Sequence, residues 1–152
     1  MKVLMVGHGA FAQKHMDGIQ NIDGVEVTAI CGRREDATRE AAEARGIKQW
    51  STDLAECLKF DVDAVIITSA TQVHAAQAIQ CLQAGKHVQV EIPMADTLVD
   101  ARAILAAQQD MAAKGTKLVA MAGHTRRFNP SHQWVHNKIK AGELKVLQMD
   151  VQ

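Results

Sequence analysis

The stretch Lys2-Val3-Leu4-Met5-Val6-Gly7-His8-Gly9-Ala10-Phe11-Ala12 decides the fold. An apolar strand runs into two closely spaced glycines and then into a helical pattern. Gly7 lets the chain turn sharply off the strand, Gly9 lets backbone N–H groups approach a pyrophosphate, and the small Ala12 lets helix and strand pack closely. A pyrophosphate would sit on the helix N-terminus, where unpaired N–H groups and the helix dipole favour negative charge. Gly7, Gly9, Ala10, Phe11 and Ala12 are therefore the expected cradle of a dinucleotide. Taken alone, the run also reads as an ordinary glycine turn; the strand before it, the helix after it and a second strand beyond raise it above that.

That second strand, Val25 to Ile30, ends not in an acid but in Cys31-Gly32-Arg33-Arg34. An NAD site wants Asp or Glu there for the ribose 2′-hydroxyl, whereas a guanidinium suits a 2′-phosphate. Gly32, Arg33 and Arg34 thus point to NADP as the cofactor. The plainer alternative is a solvated loop before the helix that Glu35, Asp36 and Thr38 open.

Downstream, Asp36 to Arg45 reads as a helix stopped by Gly46 and Ile47 to Trp50 as a short strand. Asp53 with Glu56 three residues on opens a further helix through capping-box spacing. Val62 to Ile67 is nearly continuous in apolar residues, as a strand covered on both faces should be. A helix from Val73 to Ala84, a strand from His87 to Ile92, a helix from Thr97 to Gly115 and a strand from Lys117 to Ala122 complete the alternation. Such alternation predicts the α/β class with a parallel, doubly wound sheet. The pattern then changes. Asn129-Pro130 caps a helix whose C′ residue is Gly142, and a new strand is predicted over Leu144–Val151. Residues 1–123 are read as a nucleotide-binding domain and 124–152 as the opening of a second, incomplete one.

The chain has 152 residues, 47% of them apolar, enough to bury one core. Lys plus Arg equals Asp plus Glu at 17 each, so no global field attracts nucleic acid or an anionic membrane, and neither partner is expected. No apolar run reaches membrane-spanning length and the start lacks a signal-like pattern, which predicts a cytoplasmic protein. Cys31, Cys57 and Cys81 lack C-x-x-C spacing and read as reduced thiols. Cys57 and Cys81 fall on helices as packing residues, and Cys31 lies beside the adenosine site, so a nucleophilic cysteine is not expected. The absence of tyrosine excludes dehydrogenases that use a Tyr and Lys pair as proton donor.

In an open parallel sheet, ligands bind outside the carboxyl ends of the strands, and the polar residues fall there. After the fourth strand, Ser69-Ala70-Thr71-Gln72-Val73-His74 offers a hydroxyl, an amide and an imidazole to the nicotinamide ribose, so Ser69, Ala70, Gln72 and His74 are cofactor candidates. The competing reading makes Thr71 a helix cap and His74 a surface histidine. The fifth strand ends in Glu91-Ile92-Pro93. After the sixth, Arg126 and Arg127 are planar forks suited to carboxylates, hence to an acidic small-molecule substrate, or to an interdomain salt bridge. His124, near neutral in intrinsic pKa, is the candidate base. His132 and His136 share a helix face, but Gln133 stands where a metalloprotease wants Glu, and no metal site is expected.

At these residues the chain resembles the glucose-fructose oxidoreductase and inositol dehydrogenase family. There a Rossmann domain carries the glycine turn, a T-P-x-x-x-H segment after strand four and E-K-P after strand five, and an open antiparallel sheet domain follows. Residues 85–93 and 123–133 are similar to members that oxidise a semialdehyde. The resemblance implies an NADP-dependent dehydrogenase acting on a carboxylated small molecule, a homodimer or higher assembly in the full-length protein, and a cis peptide before Pro93 that would aim Glu91, a cofactor and catalytic candidate, toward the nicotinamide. Two positions depart from the broad pattern. The proline is Ala70, and the usual proton-handling lysine is Ile92, which argues for a different base. That base is His124 or a residue from the remainder of the second domain. A non-catalytic NADP-binding module and a sugar or polyol dehydrogenase stay open as alternatives.

Overall fold

A computed structural model describes residues 1–147 of the chain. The elements run β1 (Lys2–Val6), α1 (Ala10–Ile19), β2 (Glu26–Cys31), α2 (Glu35–Glu43), β3 (Gln49–Ser51), α3 (Leu54–Cys57), β4 (Ala64–Ile67), α4 (Thr71–Gln83), β5 (His87–Val90), α5 (Leu98–Ala113), β6 (Ala120–Ala122), a 3-10 turn (Thr125–Phe128) and α6 (Pro130–Lys140). One six-stranded sheet forms in the order β3-β2-β1-β4-β5-β6, with every neighbouring pair parallel. The strand order reverses between β1 and β4, the switch point at which such sheets open a crevice for ligands.

Alternation along β1 splits the core between two faces. Leu4 and Val6 pack with Ala29, Val65, Ile67 and side chains of α3, α4 and α5. Val3 and Met5 pack with Ile30, Ile66 and Ala12, Met16 and Ile19 of α1. Each such fully buried aliphatic side chain contributes on the order of 1.5–3 kcal/mol. The result is a rigid platform whose strand ends carry the candidate site.

Several boundaries differ from the sequence reading, each for a local reason. The last turn of α2 tightens, with the Arg45 amide on Ala42 O at 3.1 Å and the Gly46 amide on Glu43 O at 3.0 Å, so the helix closes before Arg45. Asp53 caps α3 through the Ala55 amide, but its own amide donates to Ser51 Oγ, while Glu56 pairs with Lys59. The capping box is therefore only half made. The sixth strand begins at Ala120, because the Leu118 carbonyl is taken by Gln108 and the Val119 amide by His87 Nδ1. Residues 144–147 form no strand: the amides of Glu143 and Leu144 turn back onto the Lys138 carbonyl at 3.0 and 3.3 Å. The remainder of the strand predicted over Leu144–Val151 lies outside the described residues. Among the described residues, no helix is long and apolar enough to cross a membrane.

Candidate functional site

The turn after β1 is held from both sides. The Gly7 amide donates to Cys31 O at 2.8 Å, and the Thr68 amide donates to Val6 O at 2.7 Å. Gly7 has φ +97°, and a Cβ there would stand 2.6 Å from Thr68 Oγ1, so only glycine fits. Gly9 is the N-cap of α1 with no side-chain cap, and nothing lies within 4 Å of where its Cβ would be. The first amides of α1 thus face open space without a side-chain acceptor, an arrangement that fits a pyrophosphate.

A cleft of about 590 Å³ extends from this turn. It gathers Gly7, His8 and Gly9 with Gly32, Arg33 and Arg34 after β2, and with Ser69 and Ala70 after β4. Arg33 and Arg34 are exposed, and neither has an ion-pair partner among the described residues. Of the other cradle residues, Ala12 is fully buried and lets α1 approach the sheet. Ala10 and Phe11 are exposed, the Phe11 ring meeting His15 edge-on at 5.4 Å.

The segment after β4 is organised differently from expectation. His74 is neither a surface histidine nor free to meet a ribose: it is 2% exposed, and its two ring nitrogens each stand 2.9 Å from a backbone carbonyl, of Pro93 and of Ser69. It ties the loop after β4 to the turn after β5. Thr71 is the first residue of α4 rather than its cap, a place taken by Ala70 without a side-chain bond. The Ser69 hydroxyl donates to Gln77 Oε1 at 2.5 Å, and Gln72 is exposed outside the cleft lining.

The Ile92–Pro93 peptide is cis. Glu91 is 8% exposed, and its Oε1 accepts from His15 Nε2 at 2.7 Å across α1. A Cβ on Gly123 would stand 2.6 Å from that oxygen, so β6 closes over the carboxylate. Past β6, a hollow of about 990 Å³ is lined by His15, Gly123, His124, Arg127 and His136 among others. A smaller cleft of about 450 Å³ gathers Arg126, Arg127, His132, Gln133 and His136. His124, Arg126 and Arg127 are all exposed. The arginine pairs after β2 and after β6 therefore line separate clefts.

All three cysteines are free and buried. The thiol hydrogen bond between Cys31 and Cys57 lowers the pKa of Cys31 and, together with burial, raises that of Cys57. Burial pushes Cys81 up to about 12. Cys57 and Cys81, buried and with raised pKa, are thus poor nucleophiles. The sequence reading overlooked His8, His15 and Thr68 as site residues, and read Thr38 only as opening a helix. His8 carries a visible signal, an imidazole inside the glycine turn. The contact of His15 with a residue 76 positions away has none.

Residues 1–122 match the model of the GFO/IDH/MocA oxidoreductase family, described as having an NAD-binding Rossmann fold. The chain belongs to that family. It is 55% identical to 4-carboxy-2-hydroxymuconate-6-semialdehyde dehydrogenase of Sphingobium sp. (strain NBRC 103272 / SYK-6), over 100% of this chain and 47% of the relative. A probable dehydrogenase from Thermotoga maritima superposes with a TM-score of 0.86 at 26% identity, over 93% of this chain and 41% of that one. Scyllo-inositol dehydrogenase from Lactobacillus casei, solved with bound NAD(H) and scyllo-inositol, superposes with a TM-score of 0.81 at 27% identity, over 94% and 42%. The chain spans about half the length of the curated relatives it matches. Its parallel six-stranded sheet is thus the nucleotide-binding fold of an oxidoreductase.

Proposed function

We propose that this chain is the NADP-binding part of a dehydrogenase of protocatechuate 4,5-cleavage. The reaction is oxidation of the cyclic hemiacetal of 4-carboxy-2-hydroxymuconate 6-semialdehyde to the lactone 2-pyrone-4,6-dicarboxylate. The observation that carries the reading is the 55% identity to the Sphingobium semialdehyde dehydrogenase along the whole chain. Two features support it. Ile92 replaces the lysine that the broad family pattern places before the proline. Arg126 and Arg127 are exposed forks beside one basic cleft, suited to a dicarboxylate.

The hemiacetal carbon already bears both the hydroxyl and the hydrogen to be removed. Oxidation then needs no covalent enzyme intermediate, in keeping with three buried thiols. The dinucleotide supplies the hydride acceptor. The chain does the rest. The open N-terminus of α1 binds the pyrophosphate, Arg33 and Arg34 bind the 2′-phosphate, and Arg126 and Arg127 hold the carboxylates. His124 receives the hydroxyl proton as the carbonyl forms.

Calorimetric titration of the 152-residue chain tests both halves of the reading. R33A/R34A should weaken NADP by at least about tenfold and NAD by less than about twofold, since charge-assisted bonds are lost from the phosphate alone. With NADP present, R126A/R127A should weaken pyrone dicarboxylate by at least about tenfold and leave NADP binding unchanged. Equal losses for NADP and NAD would refute the phosphate role. Binding of scyllo-inositol in place of the dicarboxylate would transfer the reading to a polyol dehydrogenase.

A further inference from the structure

The place that an NAD site gives to an acid is not merely vacant here; it is filled. A Cβ on Gly32 would lie 2.1 Å from Thr38 Oγ1 and 2.7 Å from His8 Cδ2, contacts that real side chains do not make. Thr38 cannot readily yield, because it is fully buried and its hydroxyl donates to the Arg34 carbonyl at 2.6 Å. No carboxylate can therefore project from residue 32 toward a ribose. The His8 ring occupies that place instead, with Nε2 3.1 Å from the same point. His8 is half-buried and lines the cleft with Gly32, Arg33 and Arg34. Its carbonyl accepts from the Gln13 amide at 3.3 Å, but neither ring nitrogen has a hydrogen-bond partner among the described residues.

We propose that His8 is a cofactor-selecting residue: its imidazole, seated over Gly32 in the cleft that Arg33 and Arg34 also line, donates to the 2′-phosphate of the dinucleotide. The inference rests on the NADP reading above and adds a third contact, contributed by the glycine turn itself. A phosphate monoester offers three acceptor oxygens, so an imidazole N–H and two guanidinium groups can each be satisfied. A 2′-hydroxyl carries no charge and gives the ring no charge-assisted hydrogen bond, so the same ring favours NADP over NAD. The steric exclusion at Gly32 removes the acid that would otherwise repel the phosphate.

The test is binding of NADP, NAD, 2′,5′-ADP and 5′-AMP to the wild-type chain and to H8A and H8Q. H8A should weaken NADP and 2′,5′-ADP by about tenfold, as expected for loss of one hydrogen bond to a charged group, with NAD and 5′-AMP unchanged within about twofold. H8Q, which keeps an N–H donor, should recover part of the loss. In the wild-type chain, 2′,5′-ADP should shift the imidazole resonance of His8 and 5′-AMP should not, a measurement that requires no variant to fold. NADP preference unaltered in H8A, or a His8 resonance indifferent to 2′,5′-ADP, overturns this inference and leaves the NADP reading standing. A wild-type chain that binds NAD and NADP equally overturns both.

Discussion

Along the carboxyl edge of the sheet, the turns after β1 and β2 and the segment after β6 are built on opposite plans. Around the turns after β1 and β2, backbone positions are dictated by close contact: Gly7 lies against Thr68, and Gly32 lies beneath His8 and Thr38. Helix α1, which leaves that edge, buries Ala12, Met16 and Ile19. Beyond β6 the reverse holds. Helix α6 buries no residue, and Arg126, Arg127, His132 and His136 are all exposed beside one cleft. The first region is a preorganised socket whose shape is maintained by the core. The second carries side chains suited to chemistry on a surface that the described residues do not enclose. Close contact of this kind fixes the backbone of the first region before any ligand arrives.

Substitutions in the two regions should separate sharply. The largest effect belongs to Gly7→Ala, which forces both a positive φ and a 2.6 Å approach to Thr68 Oγ1. It should cost about 3 kcal/mol, read as a fall of about 10 °C in thermal midpoint for a chain of this size. A midpoint within about 2 °C of wild type would mean that the turn is not held as described.

Next comes His74→Leu, which leaves the carbonyls of Ser69 and Pro93 without their ring partner. Denaturant titration should register a loss of about 2 kcal/mol, the cost of breaking this partly buried hydrogen-bonded tie. Faster amide exchange confined to the loops after β4 and β5 would sharpen the assignment of His74 as the tie between them. Smallest is Trp134→Ala on α6. The indole is 59% exposed, and Lys138 Nζ stands 6.0 Å from the ring centroid. Its removal should change stability by no more than about 0.5 kcal/mol. A loss as large as that of His74→Leu would erase the contrast between the two regions.

Much of the fold could be read from residue order. The glycine turn, the apolar run Val62–Ile67 and the helix breaks at Gly85 and Gly142 announce alternating strands and helices, because hydrophobic period and backbone freedom are local properties. Arg33 and Arg34 were likewise visible, lying where the second strand ends. Strand and helix ends were less legible, since competing side-chain bonds decided them. The amides near β6 and α3 went to His87 and Ser51 rather than to the ladder or the box.

The roles of the histidines divide along the same line. Sequence by itself determined that a nucleotide-binding α/β fold would form and where its turn would lie, because both follow from near-neighbour sterics and periodic burial. Tertiary structure alone decided that His74 is enclosed between two carbonyls, that His15 meets Glu91, and that His8 stands over Gly32. Each of these contacts joins segments brought together only when the sheet assembles, and no local pattern in a chain records which distant group will satisfy a buried polar atom.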